Sequence, residues 1–354
     1  LIQKEIQVVK QSFNPISNEY LERHDLDFIK LSERVCQFTD LRVIVIGDTI
    51  VDEYINCNPL GMSQEDPTIV VTPVESTRYI GGAGIVAAHA AGLGARVNFI
   101  SVTGRDDMSD FALKTLTDYN VNVCVFDDES RPTTLKQRYR CKGKTLLRVS
   151  HLHQGAVDAS FQQKILQQVE ELINECDLLI FSDFNYGCLP TEVVLKIIEM
   201  GKKEDVYMVA DSQSSSQVGD ISRFNGMSLL SPTEREARLS VRDQESGLVV
   251  LAEKLRKQAN ASNILLKIGE EGVLIHAETT APESWLTDRI PALNTVPIDV
   301  AGAGDSMLIA SAMSLASGAT IWEAAALGSI AAAVQVSRVG NIPLVTNEIL
   351  QQLK

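Results

Sequence analysis

Apolar and polar positions follow two rhythms along the chain. Short runs of aliphatic and β-branched residues, bounded by Gly, Asp or Ser, read as buried strands. The first is Arg42-Val-Ile-Val-Ile-Gly47, and further runs lie at 97–102, 121–126, 177–182, 206–210, 227–230 and 263–268. Between them, apolar residues recur three or four positions apart, or alanines crowd together, and predict helices at 83–93, 108–119, 158–175, 190–202, 244–259, 303–317 and 321–337. Strand runs alternating with helices predict an α/β fold: a doubly wound, mostly parallel sheet with helices on both faces. Two segments, 67–74 and 133–140 with 144–149, break the alternation as extended, partly polar stretches, and Cys141-Lys-Gly-Lys144 suits a hairpin tip. They predict a small β-lid, from about 54–80 and 131–150, sheltering a small ligand from water. Residues 1–40 are polar, with Leu21, Leu26, Ile29, Leu31 and Val35 at roughly helical spacing. They read as a helical extension or linker ahead of one domain spanning 41–354.

Charge narrows the partners. Lys and Arg number 32 against 46 Asp and Glu, a net charge of −14. So acidic a surface excludes broad binding to nucleic acid or anionic membrane, and any phosphate must be held locally by backbone N–H groups and a few chosen cations. The six cysteines, at 36, 57, 124, 141, 176 and 188, include no C-x-x-C pair and no His at zinc-finger spacing. They read as reduced thiols of a cytoplasmic protein. No apolar stretch is long enough for a membrane span, and no secretory signal is visible. Because the chain starts at Leu1 without an initiator Met, it is expected to be cut from a longer protein.

The sharpest chemical signal is Asp299-Val-Ala-Gly-Ala-Gly-Asp305 ahead of a helical pattern. Small residues at 301–304 let the backbone turn tightly and aim N–H groups at one spot, to which a helix N-terminus adds its positive dipole end. The result is an anion cradle. A carboxylate in its first turn repels phosphate, but it suits a base that takes a proton from a hydroxyl attacking that phosphate; a helix cap is the alternative for Asp305. Gly81-Gly-Ala-Gly-Ile-Val-Ala-Ala88 holds a G-x-G-x-x-A match, too far from the first strand for a dinucleotide fingerprint. Gly143-Lys-Thr145 lacks both the leading glycine and the strand-to-helix transition of a P-loop. Asp48, Asp52, Asp183 and Asp211 follow strands, where open α/β sheets bind ligands, and short acids there suit sugar hydroxyls. His151 and His153 share a strand face but have no third metal ligand.

Taken in order, Gly47-Asp48…Asp52, Gly81-Gly82, Thr103-Gly104-Arg-Asp106, Pro232-Thr-Glu-Arg-Glu236, Lys267-Ile-Gly269…Gly272 and Asp299–Asp305 resemble the ribokinase (PfkB) family of carbohydrate kinases, over about 41–354. Pro132-Thr-Thr-Leu-Lys136-Gln-Arg138 and Leu146-Leu-Arg148 look most like the kinase half of bifunctional heptose-phosphate kinase and nucleotidyltransferase proteins. The resemblance implies ATP-dependent phosphorylation of a sugar or sugar phosphate, with use of Mg²⁺ and of a monovalent cation such as K⁺, a homodimer through the lid, and fusion to a nucleotidyltransferase. It implies Asp305 as base and the backbone of Gly302, Ala303 and Gly304 as anion hole. Asp48, Asp52, Gly81 and Gly82 resemble sugar contacts, and Lys136 and Arg138 would meet the phosphate of a phosphorylated sugar. Thr233, Lys267, Gly269, Gly272 and Ser329 would border the nucleotide; Glu236 would help hold Mg²⁺, and Asp299 would neighbour the monovalent cation. Ile85, Gly61, Tyr186 and Asp211-Ser-Gln213 stand where this group carries other, mostly polar or cationic, residues. A catalytically silent sugar- or nucleotide-binding module is the rival expectation.

Overall fold

In the computed structural model, which describes residues 13–213, 219–278 and 286–354, the chain starts with two short helices, α1 (Asn18–Arg23) and α2 (Phe28–Cys36). Ser17 and Asp27 cap them through side-chain oxygens that accept from N–H groups of the first turn. Tyr20, Leu31 and Val35 are buried in the same apolar cluster as the first strand, so residues 13–40 are packed against the domain that follows. Strand β1 (Arg42–Gly47) then divides its side chains between two cores. Val43 and Val45 join one cluster, and Ile44 and Ile46 the other. A strand buried on both faces cannot alternate polar and apolar, which is why this run is continuously aliphatic.

From β1 the chain runs into β2 (Thr49–Met62) and β3 (Ile69–Gly81), then α3 (Gly82–Gly92), β4 (Arg96–Thr103), α4 (Asp107–Asp118) and β5 (Asn122–Asp127). Next come the hairpin β6 (Thr134–Cys141) and β7 (Lys144–His151), followed by α5 (Ala159–Leu172), β8 (Leu178–Asp183), α6 (Thr191–Lys203) and β9 (Tyr207–Ser212). The remaining elements are β10 (Leu229–Leu230), α7 (Glu234–Val241), α8 (Leu248–Gln258), β11 (Asn263–Lys267), β12 (Val273–Ala277), β13 (Thr287–Ile290), α9 (Ala303–Ala316), α10 (Ile321–Gln335) and α11 (Thr346–Gln352).

Among the described residues these strands make a nine-stranded sheet, ordered β13-β12-β11-β10-β9-β8-β1-β4-β5, and a four-stranded sheet, ordered β3-β2-β6-β7. The large sheet is parallel except at β12 and β13, which pair antiparallel at one edge. The chain leaves β1 toward β4 on one side and returns to β8 on the other. That reversal opens a crevice beyond the strand ends, where open sheets take ligands. The doubly wound sheet is the one the alternation predicts, and the small sheet is formed by the segments that break it. The lid is longer than its sequence pattern suggested, because β2 begins at Thr49, directly after β1, through a segment whose acids and asparagines mask the strand rhythm. Lys142 and Gly143, both with positive φ, make the expected hairpin tip. No helix among the described residues is long and apolar enough to cross a membrane.

Candidate active site

Strand ends of the large sheet, the N-terminus of α9 and residues of the lid enclose a cleft of about 1020 Å³. Gly302 caps α9 at φ 78°, and a Cβ there would lie 2.5 Å from Asn341 Oδ1, so the bend requires glycine. The first turn of α9 presents N–H groups with no acceptor four residues back. Asp305 stands in that turn, lining the cleft but only 7% exposed.

The environment of Asp305 fits a proton acceptor. Burial, reinforced by Asp211 and Asp52, pushes its carboxyl up to about 7, although Lys267 and Lys136 pull the other way. Its Oδ1 accepts a hydrogen bond from Gln213 Nε2 at 3.1 Å. Beside it, Lys267 Nζ donates to Asp211 Oδ2 at 2.9 Å. Burial alone would lower the Lys267 pKa, but Asp211, Glu236 and Asp305 outweigh it, so the ammonium stays charged. Burial also pushes Asp211 up to about 6, and its Oδ1 is enclosed without a hydrogen-bond partner.

Toward the lid, cations gather locally in an otherwise acidic chain. Lys136, Arg138, Arg140 and Arg148 all line the cleft. The Lys136 ammonium lies 5.0 and 5.1 Å from the ring centres of Phe184 and Tyr186, a cation–π setting that holds it in place. Arg138 Nη2 donates to Asp52 Oδ1 at 3.1 Å, and Asn341 Nδ2 lies 3.4 Å from Asp52 Oδ2. Gly81 makes room for that acid, since a Cβ there would lie 2.3 Å from Asp52 Oδ2; Gly82 itself lines the cleft.

Two predicted sugar contacts lie elsewhere. Asp48 accepts from the backbone N–H groups of Phe184, Tyr186 and Cys188 at 2.9, 3.2 and 3.1 Å. Those bonds occupy both its oxygens and make it the knot of the 184–188 loop, away from the cleft. Asp183 accepts from Arg223 Nη2 and Ser212 Oγ, each at 2.8 Å, and likewise does not line the cleft.

At the opposite end, Thr233, Lys267, Gly269, Gly272 and Ser329 line the cleft together with residues 291–295. The Ser329 hydroxyl is buried with no partner. Thr233 and Glu236 form a reciprocal capping box at the start of α7, a pairing already visible in the Thr-x-x-Glu spacing.

No group of three or more His, Cys, Asp or Glu among the described residues could hold a metal unaided. Glu236 lines the cleft and nonetheless fits a hard cation such as Mg²⁺, which takes its other ligands from phosphate and water. A monovalent cation at Asp299 fits less well. Asp299 Oδ2 already accepts from the Tyr54 hydroxyl at 3.0 Å and Gly340 N at 3.2 Å, with Arg140 Nη1 at 3.8 Å, and Oδ1 accepts from Ala301 N at 3.2 Å.

Gln213, Asn341, Tyr54, Arg140, Arg148 and Phe184 also line the cleft, with no role legible for them in the sequence. For Arg140 a signal existed: residues 136, 138 and 140 share one face of a strand by their period of two. Asn341 and Gln213 lie in irregular chain, where no period points at them.

A model described as pfkB family carbohydrate kinase matches residues 40–347. The bifunctional protein HldE of Desulfatibacillum aliphaticivorans is 30% identical over 325 residues, 90% of this chain and 64% of that protein. HldE of Nitratiruptor sp. is 30% identical over 311 residues, 87% and 64%. The chain therefore spans under two thirds of the length of these relatives. Among solved structures, phosphofructokinase-2 from Escherichia coli in complex with potassium superposes with a TM-score of 0.71 at 17% identity, over 88% of this chain and 97% of that one. Ribokinase from Thermotoga maritima gives 0.67 at 20%, over 88% and 99%. These structures share the fold.

Proposed function

The chain belongs to the pfkB family of carbohydrate kinases, and from that premise we propose that it transfers the terminal phosphoryl group of ATP to a hydroxyl of an already phosphorylated sugar, a heptose phosphate being one candidate. The observation that carries this reading is the shared cleft. Asp305 and the Gly302–Gly304 bend stand between a cationic lid patch and a glycine-bordered groove. The acceptor phosphate would meet Lys136 and Arg138, and Asp52 would accept from a sugar hydroxyl. ATP would lie along Thr233, Gly269, Gly272 and Ser329, its phosphates toward the bend. The acceptor oxygen attacks the terminal phosphorus in line, its proton passes to Asp305, and ADP leaves. Amides at 302–304 stabilise the charge on the moving phosphoryl group. Glu236 would help hold Mg²⁺, which when bound would neutralise phosphate charge.

A coupled assay of ATP consumption over paired sugars and sugar phosphates tests the reading. Turnover is expected with phosphorylated acceptors, and ATP binding without turnover on any sugar would support the silent module instead. Lys136→Ala and Arg138→Ala should each raise the acceptor KM by about tenfold or more, the loss of one charge-assisted phosphate contact, while the KM for ATP stays unchanged. Equal acceptor KM values in wild type and both variants would reject the phosphate assignment.

The reading extends to a homodimer through the lid, supported by exposed Leu60, Met62, Ile69, Val74 and Leu147 on its strands. Val74→Asp is expected to halve the mass seen by light scattering; an unchanged mass would dismiss the lid interface. Action in the cytoplasm, and covalent fusion to a nucleotidyltransferase, belong to the same proposal. The two-function name of the HldE relatives supports the fusion.

A further inference from the structure

Helix α1 lies outside the segment matched by the family model, yet it and the residues beside it contact both elements that carry the walls of the groove assigned to ATP. One wall is the chain leaving β13, whose residues 291–295 line the cleft. Arg23 Nη1 donates to both carboxylate oxygens of Asp288 on β13, at 2.8 and 2.9 Å, and His24 Nε2 lies 2.7 Å from Asp288 Oδ2. Further along the same wall, Asn14 N donates to the Leu293 carbonyl at 2.8 Å. The other wall is α10, which contributes Ser329. There the Tyr20 hydroxyl donates to the Trp322 carbonyl at 2.8 Å, and the His24 ring stacks on the Trp322 indole with centroids 4.1 Å apart and planes 12° apart.

A helix of six residues does not hold itself together in water, so α1 exists through these contacts. They are directional as well as apolar. Arg23 and His24 together hold the Asp288 carboxylate on β13, and the Asn14 bond fixes the carbonyl of a residue that lines the groove. Tyr20 and His24 tie the same short helix to α10. The two walls also meet each other directly, and this segment braces them from outside.

We propose that α1 is a positioning element for the nucleotide: by bridging β13 and α10 it sets the width of the ATP groove, and so governs ATP affinity while leaving the phosphoryl-transfer step alone. The proposal rests on the assignment of that groove to ATP.

Calorimetry of the full chain with Mg–ATP, for wild type, Asp288→Asn and Tyr20→Phe, tests it, alongside steady-state kinetics with an acceptor from the sugar panel. Asp288→Asn is expected to weaken ATP binding roughly three- to tenfold, with a matching rise in the KM for ATP and unchanged kcat and acceptor KM. Tyr20→Phe keeps the ring packing and removes one bond, so it should show a smaller shift in the same direction and keeps the test readable if Asp288→Asn fails to fold. A lowered melting temperature with wild-type ATP affinity in a folded variant is what mere scaffolding would produce, and it overturns the proposal. A wild-type chain that binds no ATP overturns the groove assignment, and the proposal with it.

Discussion

Asp305→Asn is expected to lower kcat by about 10²- to 10⁴-fold, the range of a lost general base, with ATP affinity nearly unchanged. The asparagine fills the same space and can still pair with Gln213, so the bend keeps its shape; only proton acceptance is removed. Rapid-quench or coupled kinetics beside calorimetry separate the two effects, and wild-type turnover in this variant would remove Asp305 from the proposed mechanism. Because burial pushes the carboxyl up to about 7, activity of the wild type should rise with pH through that value, as the base loses its proton. Stability should move the other way. The folded pKa lies above the ordinary 3.8, so the fold favours the protonated form, and stability present below the unfolded value is lost as pH rises through about 7. Asp305→Asn, which carries no charge, should accordingly melt above wild type at pH above 7, and the difference should vanish near pH 4. A variant that melts below wild type throughout would contradict this account of the site.

Gly302→Val should have the next largest effect. Its backbone sits at φ 78°, where a β-branched side chain is strained, and its Cβ would meet Asn341 Oδ1 at 2.5 Å. Either the bend unwinds or Asn341 moves, and Asn341 also reaches Asp52. Both ends of the reaction are thus disturbed. A loss in kcat of about hundredfold or more follows from misaligned amides, together with a fall in unfolding free energy of about 1–3 kcal/mol. Kinetics and urea melts read the two; a folded variant within twofold of wild-type kcat would show that the bend does not hold the transferring group.

Long aliphatic runs such as 43–46 and 178–181 made the parallel sheet legible, because a strand buried on both faces leaves no room for polar residues. The cradle was legible for a similar reason: four consecutive small residues before a helix have few other uses. What stayed hidden was polar or short. Strand β2 carries Asp52, Glu53, Asn56 and Asn58, and β12 and the edge strand β13 are only five and four residues long. Polar residues break the rhythm of β2, and the other two are too short to show a period. Asp48 illustrates the opposite error. A strand-end acid can face a ligand or tie down a neighbouring loop, and only the tertiary position of residues 184–188 distinguishes the two.

The carboxylate of Asp299 joins the lid to the chain that makes the bend at 302–304, since it receives the Tyr54 hydroxyl and stands beside Arg140 while also receiving Ala301 N. Swinging the small sheet outward would strip that acid of its phenol and guanidinium neighbours and leave water in their stead. Under the proposed function, the position of the small sheet and the shape of the bend would thus be coupled through one carboxylate.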